Sequence, residues 1–262
     1  MNLRSMRLDV RDGLADLTFT EAARGNPIDG IFCAEIRDVS VELSERADVR
    51  AVLIKAEGKT FSVGGDIAAF TRDLDALPRT IKGWATDLHD AVARLQRIDA
   101  PIVAAVHGVC AGGMAAFVAG ADIVVASPGA RFVSAYTGIG FACDGGATVM
   151  LSRRMGYARA RRYLLLGEVL NHEAALAAGL VDVVVEPDAL IDHAGAIAAR
   201  LAAGPTRSYG EIKRLFQSVD HEPIETQLAL EAMAIARTAA TQDARGALLA
   251  FRDKRPAVFS GR

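Results

Sequence analysis

Cysteine is scarce in this 262-residue chain. Cys33, Cys110 and Cys143 fall at irregular intervals, with no C-x-x-C pair and no Cys/His metal spacing. That excludes a disulfide framework and a zinc module, and fits a reduced, cytoplasmic protein without a metal. An excess of one charge is lacking too: 30 Lys+Arg against 32 Asp+Glu leave a formal net charge of −2. Such a balance does not predict a surface for nucleic acid or an anionic membrane. The first twenty residues hold no signal-peptide apolar core. Only one long stretch is uncharged, Ile102 to Ala121, and His107, Gly108, Gly112 and Gly113 interrupt it. It reads as a buried strand, a turn and a helix rather than a membrane span.

What is present is a succession of short apolar runs and amphipathic stretches. Met6 to Thr20 alternates about Asp12-Gly13, as a β-hairpin does, with Leu14, Leu17 and Phe19 turned to a core. Pro27 and Asp29 introduce a helical period over Ile36, Val39 and Leu43, and Ala51 to Ile54 is an apolar strand. Lys59 to Asp66 predicts a further strand, a Gly64-Gly65 turn and a helix start, and residues 68–80, with Pro78, read as a mobile surface segment. A helix is expected over Ile81 to Ile98, strands over Ile123 to Ala126 and Val181 to Val185, and helices to about Leu166 and over Glu173 to Ala178. Beyond Asp188 the pattern is helical, broken at Gly204-Pro205 and His221-Glu222-Pro223. Strands first and helices last predict an α/β domain of repeated strand–turn–helix units closed by a helical region.

Two strand–glycine–helix junctions carry the chemistry, one at Gly64-Gly65 and one at Gly112-Gly113. Neither has dinucleotide or phosphate-loop spacing. Either alone is an ordinary tight turn. As a pair they can set two backbone N–H donors on one carbonyl oxygen, each donor contributing about 3 kcal/mol to a developing oxyanion.

Phe61-Ser62-Val63-Gly64-Gly65-Asp66, then Pro101 to Gly108 and Gly112-Gly113, then Ala121-Asp122, resemble successive segments of the crotonase superfamily, the enoyl-CoA hydratases and isomerases. The likeness continues through Gly140 to Thr148, Leu166-Gly167-Glu168, Ala178 to Val181 and Ala250 to Pro256. It implies an α/β crotonase (ClpP/crotonase-like) fold of ββα units, with an acyl-CoA-binding core over residues 1–200 and a C-terminal helical trimerisation region over 201–262. It also implies a homotrimer or a hexamer (dimer of trimers), and coenzyme A present only as part of a thioester substrate. By position, the oxyanion amides fall on Gly65 and Gly113. CoA would run along Ser62, Val63, Gly64, Asp66, Ile67 and Ala68, and Lys254 would approach it from the same or an adjacent subunit.

The departures from the family pattern narrow the chemistry. Hydratases of the superfamily use two glutamates, and here Ala116 and Tyr136 stand at those places. Neither transfers a proton as a carboxylate does. Asp144, in a loop before a helical pattern, is an N-cap by local reading. The resemblance instead matches it to the functional Asp of dienoyl-CoA isomerases, ring-epoxide phenylacetyl-CoA isomerases and 4-chlorobenzoyl-CoA dehalogenase. The dehalogenase also has a histidine at the spacing of His89, which brings in a displacement with Asp144 as nucleophile and His89 as base. Trp84, Tyr136, Phe141 and residues 68–80 are candidates for the acyl pocket. The expected function is enoyl-CoA double-bond isomerisation, with hydration, aryl-CoA dehalogenation and non-catalytic acyl-CoA binding as alternatives.

Overall fold

The computed structural model describes all of residues 1–262. Its strands and helices follow one repeated plan. β1 (Met6–Arg11) and β2 (Leu14–Phe19) form the expected hairpin, after which the chain makes β3 (Pro27–Ile28) and α1 (Gly30–Glu45). Then come β4 (Ala51–Ala56), β5 (Gly64–Gly65), α2 (Ile67–Phe70) and α3 (Leu77–Leu95). β6 (Ile102–Val106), β7 (Val109–Ala111) and α4 (Gly113–Ala119) follow, then β8 (Ile123–Ala126), β9 (Arg131–Val133), α5 (Ala147–Met155) and α6 (Tyr157–Leu166). The chain closes with β10 (Val169–Asn171), α7 (His172–Ala177), β11 (Val183–Val184), α8 (Leu190–Ala202), α9 (Thr206–Ser218), α10 (Ile224–Ala239) and α11 (Gln242–Arg252).

In each ββα unit the first strand joins one large sheet and the second strand leaves it. The large sheet runs β1-β2-β4-β6-β8-β11, antiparallel at β1/β2 and parallel thereafter. The second strands pair among themselves: β3 with β5, β7 with β9, and a bridge from Ser62 to Cys110 linking the two pairs. Apolar side chains fill the space between these layers and under α1, α3 and α4, where Leu17, Phe19, Phe32, Ile36, Phe61 and Met114 are fully buried. The other face of the large sheet is covered by α8, whose Leu190, Ala194 and Ala198 pack on Leu53, Val103, Ala105 and Val125.

Three local expectations are corrected. Lys59–Asp66 carries no regular strand beyond the two glycines themselves, because Val63 N–H and Ser62 N–H bond to Gly25 and Val109 and pull the segment between layers. Residues 68–80 are helical at both ends, with α2 ending at Phe70 and α3 beginning at Leu77, and residues 71–76 between them are irregular and exposed; Pro78 stands in the first turn of α3, where a missing N–H has no intrahelical partner to lose. Between Gly108 and Gly112 the chain inserts β7 rather than a plain loop. Gly108 makes that change of layer at φ +56°, with the carbonyl oxygen of Lys59 where a Cβ would stand.

α9 is tied to the body, and α10 to α9, by charged side chains. Arg214 Nη1 donates to Asp99 Oδ1 at 2.6 Å and Lys213 Nζ to Ala100 O at 2.9 Å, while Arg237 pairs with Glu211 at 2.7 Å. The bonds from Arg237, and then those from Arg214, hold the Glu211 carboxyl at about 2, below its ordinary 4.5. A depressed carboxylate pKa stabilises the fold above the ordinary value and loses that contribution as pH falls toward the folded value. The difference in unfolding free energy between wild type and Glu211→Gln is therefore expected to be flat above pH 4.5 and to shrink toward pH 2. Denaturant titrations of both proteins across that range check it. The chain's end returns to the body: Asp243 accepts from Ser260 N–H at 2.6 Å and Gly261 N–H at 2.8 Å, and Arg50 donates to Phe259 O at 3.0 Å. No helix is long and apolar enough to cross a membrane.

Candidate active site

The second strands of the four units point their C-terminal ends at one place. Ile28 ends β3, Gly65 ends β5, Gly112-Gly113 follow β7 and Ala135-Tyr136 follow β9, and all of them line one cavity of about 640 Å³. Open α/β sheets gather ligands at the carboxyl ends of strands for the same reason: the loops there are free to vary over a fixed scaffold. Helix α3 supplies a further wall with Leu77, Ile81, Trp84 and Leu88, and the loop 139–144 closes the cavity with Ile139, Phe141 and Asp144.

Gly65 and Gly113 both line this space. Asp66 N–H bonds to Ile28 O at 3.1 Å. Since successive N–H groups of an extended strand point to opposite sides, Gly65 N–H is turned away from β3. Gly113 is the first residue of α4, so its N–H has no acceptor within the helix.

Asp144 is the one carboxylate on the lining. Its Oδ1 lies 3.3 Å from where a Cβ on Gly113 would be, which sets the acid beside the second amide. Tyr136 Oη donates to the same Oδ1 at 3.1 Å, leaving Oδ2 without a hydrogen bond inside the chain. Burial first, and then the neighbouring Asp144 charge, push the Tyr136 phenol well above its ordinary value, so it stays a neutral donor. The loop itself is fixed from α3: Gly145 N–H donates to His89 Nε2 at 3.0 Å. That bond needs an unprotonated Nε2 and occupies its lone pair.

The candidate residues thus divide. Gly65, Gly113, Asp144, Tyr136, Trp84, Phe141, Val63 and Ile67 share the cavity lining. His89 stands behind the Asp144 loop and is not on that lining. Ser62 is fully buried, its Oγ donating to Asn26 O at 2.6 Å and accepting from Gly64 N–H at 3.1 Å. The Asp66 carboxylate caps α2 through Ala69 N–H and meets Arg24 Nη2 at 2.6 Å, and the same Arg24 nitrogen reaches Asp29, the cap of α1, at 2.9 Å. Gly64 and Ala68 flank the cavity without lining it, and Lys254 lies on the exposed turn after α11. Phe70, Leu77 and Pro78 bring residues 68–80 onto the lining, while several other lining residues, Ile28, Ile81 and Cys33 on the apolar side of α1 among them, were not singled out by the sequence reading. Burial, reinforced by the Asp144 charge, pushes the Cys33 thiol up to about 12, so it is packing and no nucleophile at neutral pH.

A family model described as enoyl-CoA hydratase/isomerase matches residues 9–262. The chain belongs to the enoyl-CoA hydratase/isomerase family. As a family member it resembles the trans-2-decenoyl-acyl-carrier-protein isomerase of Streptococcus mutans, 31% identical over 100% of both chains. It is also 32% identical to the 1,2-epoxyphenylacetyl-CoA isomerase of Escherichia coli over 97% of each. Among solved structures, the enoyl-CoA hydratase of Mycobacterium smegmatis superposes with a TM-score of 0.90 at 28% identity, over 97% of this chain and 98% of that one. The architecture of this enoyl-CoA hydratase/isomerase family member is accordingly the crotonase fold.

Proposed function

We propose that the protein is an enoyl-CoA double-bond isomerase in which Asp144 carries the proton. The observation behind this reading is that a single carboxylate lines the cavity holding Gly65 and Gly113. The thioester oxygen accepts from the amides of Gly65 and Gly113, and the Asp144 carboxylate removes a proton from C2 of a 3-enoyl-CoA. Negative charge then develops on the oxygen, where two preorganised donors stabilise it by about 3 kcal/mol each. The carboxylic acid of Asp144 returns the proton to C4, and the double bond lies between C2 and C3. Ala116, at the place where hydratases carry an acid, is fully buried in α4. One base suffices for a proton shuttle, whereas adding water ordinarily recruits two groups.

The name of the Streptococcus mutans relative, a trans-2-decenoyl-acyl-carrier-protein isomerase, supports the same reading. Incubating the protein with a 3-enoyl-CoA in deuterated water tests it. Isomerisation creates the absorbance of a conjugated thioester and places deuterium on carbon. Bleaching of a 2-enoyl-CoA without any such shift identifies a hydratase instead, and binding without exchange identifies a non-catalytic binder.

Two neighbours of Asp144 act on it in this scheme. Tyr136→Phe removes one hydrogen bond to a charged acceptor, a contribution of about 1.5–3 kcal/mol. Turnover is expected to fall roughly tenfold to a hundredfold with KM little changed, as steady-state kinetics will show. His89 serves as an acceptor that holds the Gly145 turn. His89→Ala is expected to lower kcat about tenfold, and His89→Gln, which keeps an acceptor oxygen, to recover most of it. A proton-transfer base would show no rescue by Gln.

The reading extends to assembly and place: a cytoplasmic homotrimer or dimer of trimers formed through 201–262, with Lys254 reaching CoA. Support comes from the surface of α10 and α11, where Ile235 is 71%, Leu248 68% and Phe251 85% exposed in the single chain.

A further inference from the structure

The cavity wall beside Gly65 is built of rings. Four of the whole cavity's 22 lining residues are Phe, Trp or Tyr, and three of them, Phe70, Phe141 and the chain's single Trp, make this wall, while Tyr136 stands at Asp144. Aromatics are only 6% of the whole chain, so the lining is enriched about threefold. The large rings of the core, Phe19, Phe32, Phe61, Phe132 and Tyr163, are fully buried. Phe70, Trp84 and Phe141 differ in being half-buried, with surface left for the cavity they line.

Their arrangement is a shallow, tilted stack. The Phe70 centroid is 6.0 Å from Trp84 at an interplanar angle of 33°, and 5.8 Å from Phe141 at 46°. Both inner rings rest on bare backbone. A Cβ on Gly65 would come within 2.7 Å of Phe70 Cζ, and one on Gly30 within 2.6 Å of Trp84 Nε1. The rings are therefore seated against the starts of α1 and α2 and begin at the residue whose amide faces the thioester oxygen. The wall meets the first carbons of an acyl group, not only its far end.

We propose that the acyl group of the natural thioester carries an aromatic or other planar ring, held against Phe70, Trp84 and Phe141, rather than a linear alkyl chain. The inference rests on the reading that this cavity takes an acyl-CoA. Ring pairs favour tilted and offset contacts at the spacings seen here. A rigid ring also gives up fewer internal rotations on binding than a chain of equal carbon number.

Calorimetry with two unreactive nine-carbon thioesters, 3-phenylpropanoyl-CoA and nonanoyl-CoA, and with CoA alone, tests the proposal on the intact protein. The ring ligand is expected to bind about tenfold more tightly than the chain, a difference of the size that aromatic contacts supply. Phe70→Leu is expected to bring that ratio close to one. Phe141→Leu, on an exposed loop, tests the same wall should Phe70→Leu fail to fold. Equal or tighter binding of nonanoyl-CoA overturns the proposal, as does a substitution that weakens both ligands alike. If neither thioester binds better than CoA alone, it is the acyl-cavity reading that fails.

Discussion

Asp144→Asn is expected to lower isomerisation of a 3-enoyl-CoA by on the order of 10³-fold, the scale on which positioned acid–base groups contribute. Asparagine keeps the shape of the side chain, and its amide oxygen still accepts the Tyr136 hydroxyl that now meets Oδ1 at 3.1 Å. What it loses is the capacity to take and return a proton from Oδ2. Acyl-CoA affinity is expected to change by less than about threefold, because the interaction removed is used in the transition state rather than in binding. Single-turnover rates and calorimetric dissociation constants measured on the same preparation separate the two effects. A variant with wild-type turnover would remove Asp144 from the mechanism. The oxyanion donors admit no equivalent test, since they are backbone N–H groups and survive any side-chain substitution that leaves the turn intact.

The largest effect on stability is expected at Gly108. Its φ of +56° is costly for alanine by itself, and the Lys59 carbonyl occupies the place of the new methyl group. Backbone cannot rotate aside as a side chain does, so β6 and the segment through Lys59 must separate. Gly108→Ala is expected to cost about 3 kcal/mol or more, at the upper end of single-substitution effects. For a chain of this size that corresponds to a fall in Tm of roughly 6–12 °C, readable by calorimetry. Gly129→Ala, with nothing within 4 Å of its Cβ, serves as the neutral control.

The elements with a long period were legible in the residues. The hairpin about Asp12-Gly13 shows alternation and the C-terminal helices a helical repeat, while β4, β6 and β8 read as strands because they are short continuous apolar runs. The elements that build the site are those without a period. β3 and β5 are two residues each, so no alternation exists to be seen. The start of α3 was hidden by Pro78, which reads as a break although it occupies a tolerated first-turn position, and by an Ala76 N-cap that contributes no side-chain bond. The Gly145–His89 contact spans 56 residues, and nothing local to either marks it. His89 drew notice through a matching spacing that suggested a base, whereas its place in the fold makes it an acceptor behind the loop. The side chain of Asp66, a residue expected along CoA through its backbone, caps α2 and meets Arg24.

The Arg24 contact has a mechanical consequence. One guanidinium nitrogen joins the caps of α1 and α2, and those two helix starts carry Gly30 against Trp84 and Gly65 beside Phe70. The rings seated on Gly30 and Gly65 thus share one support, cross-linked at its two helix starts by a single side chain from the loop before β3.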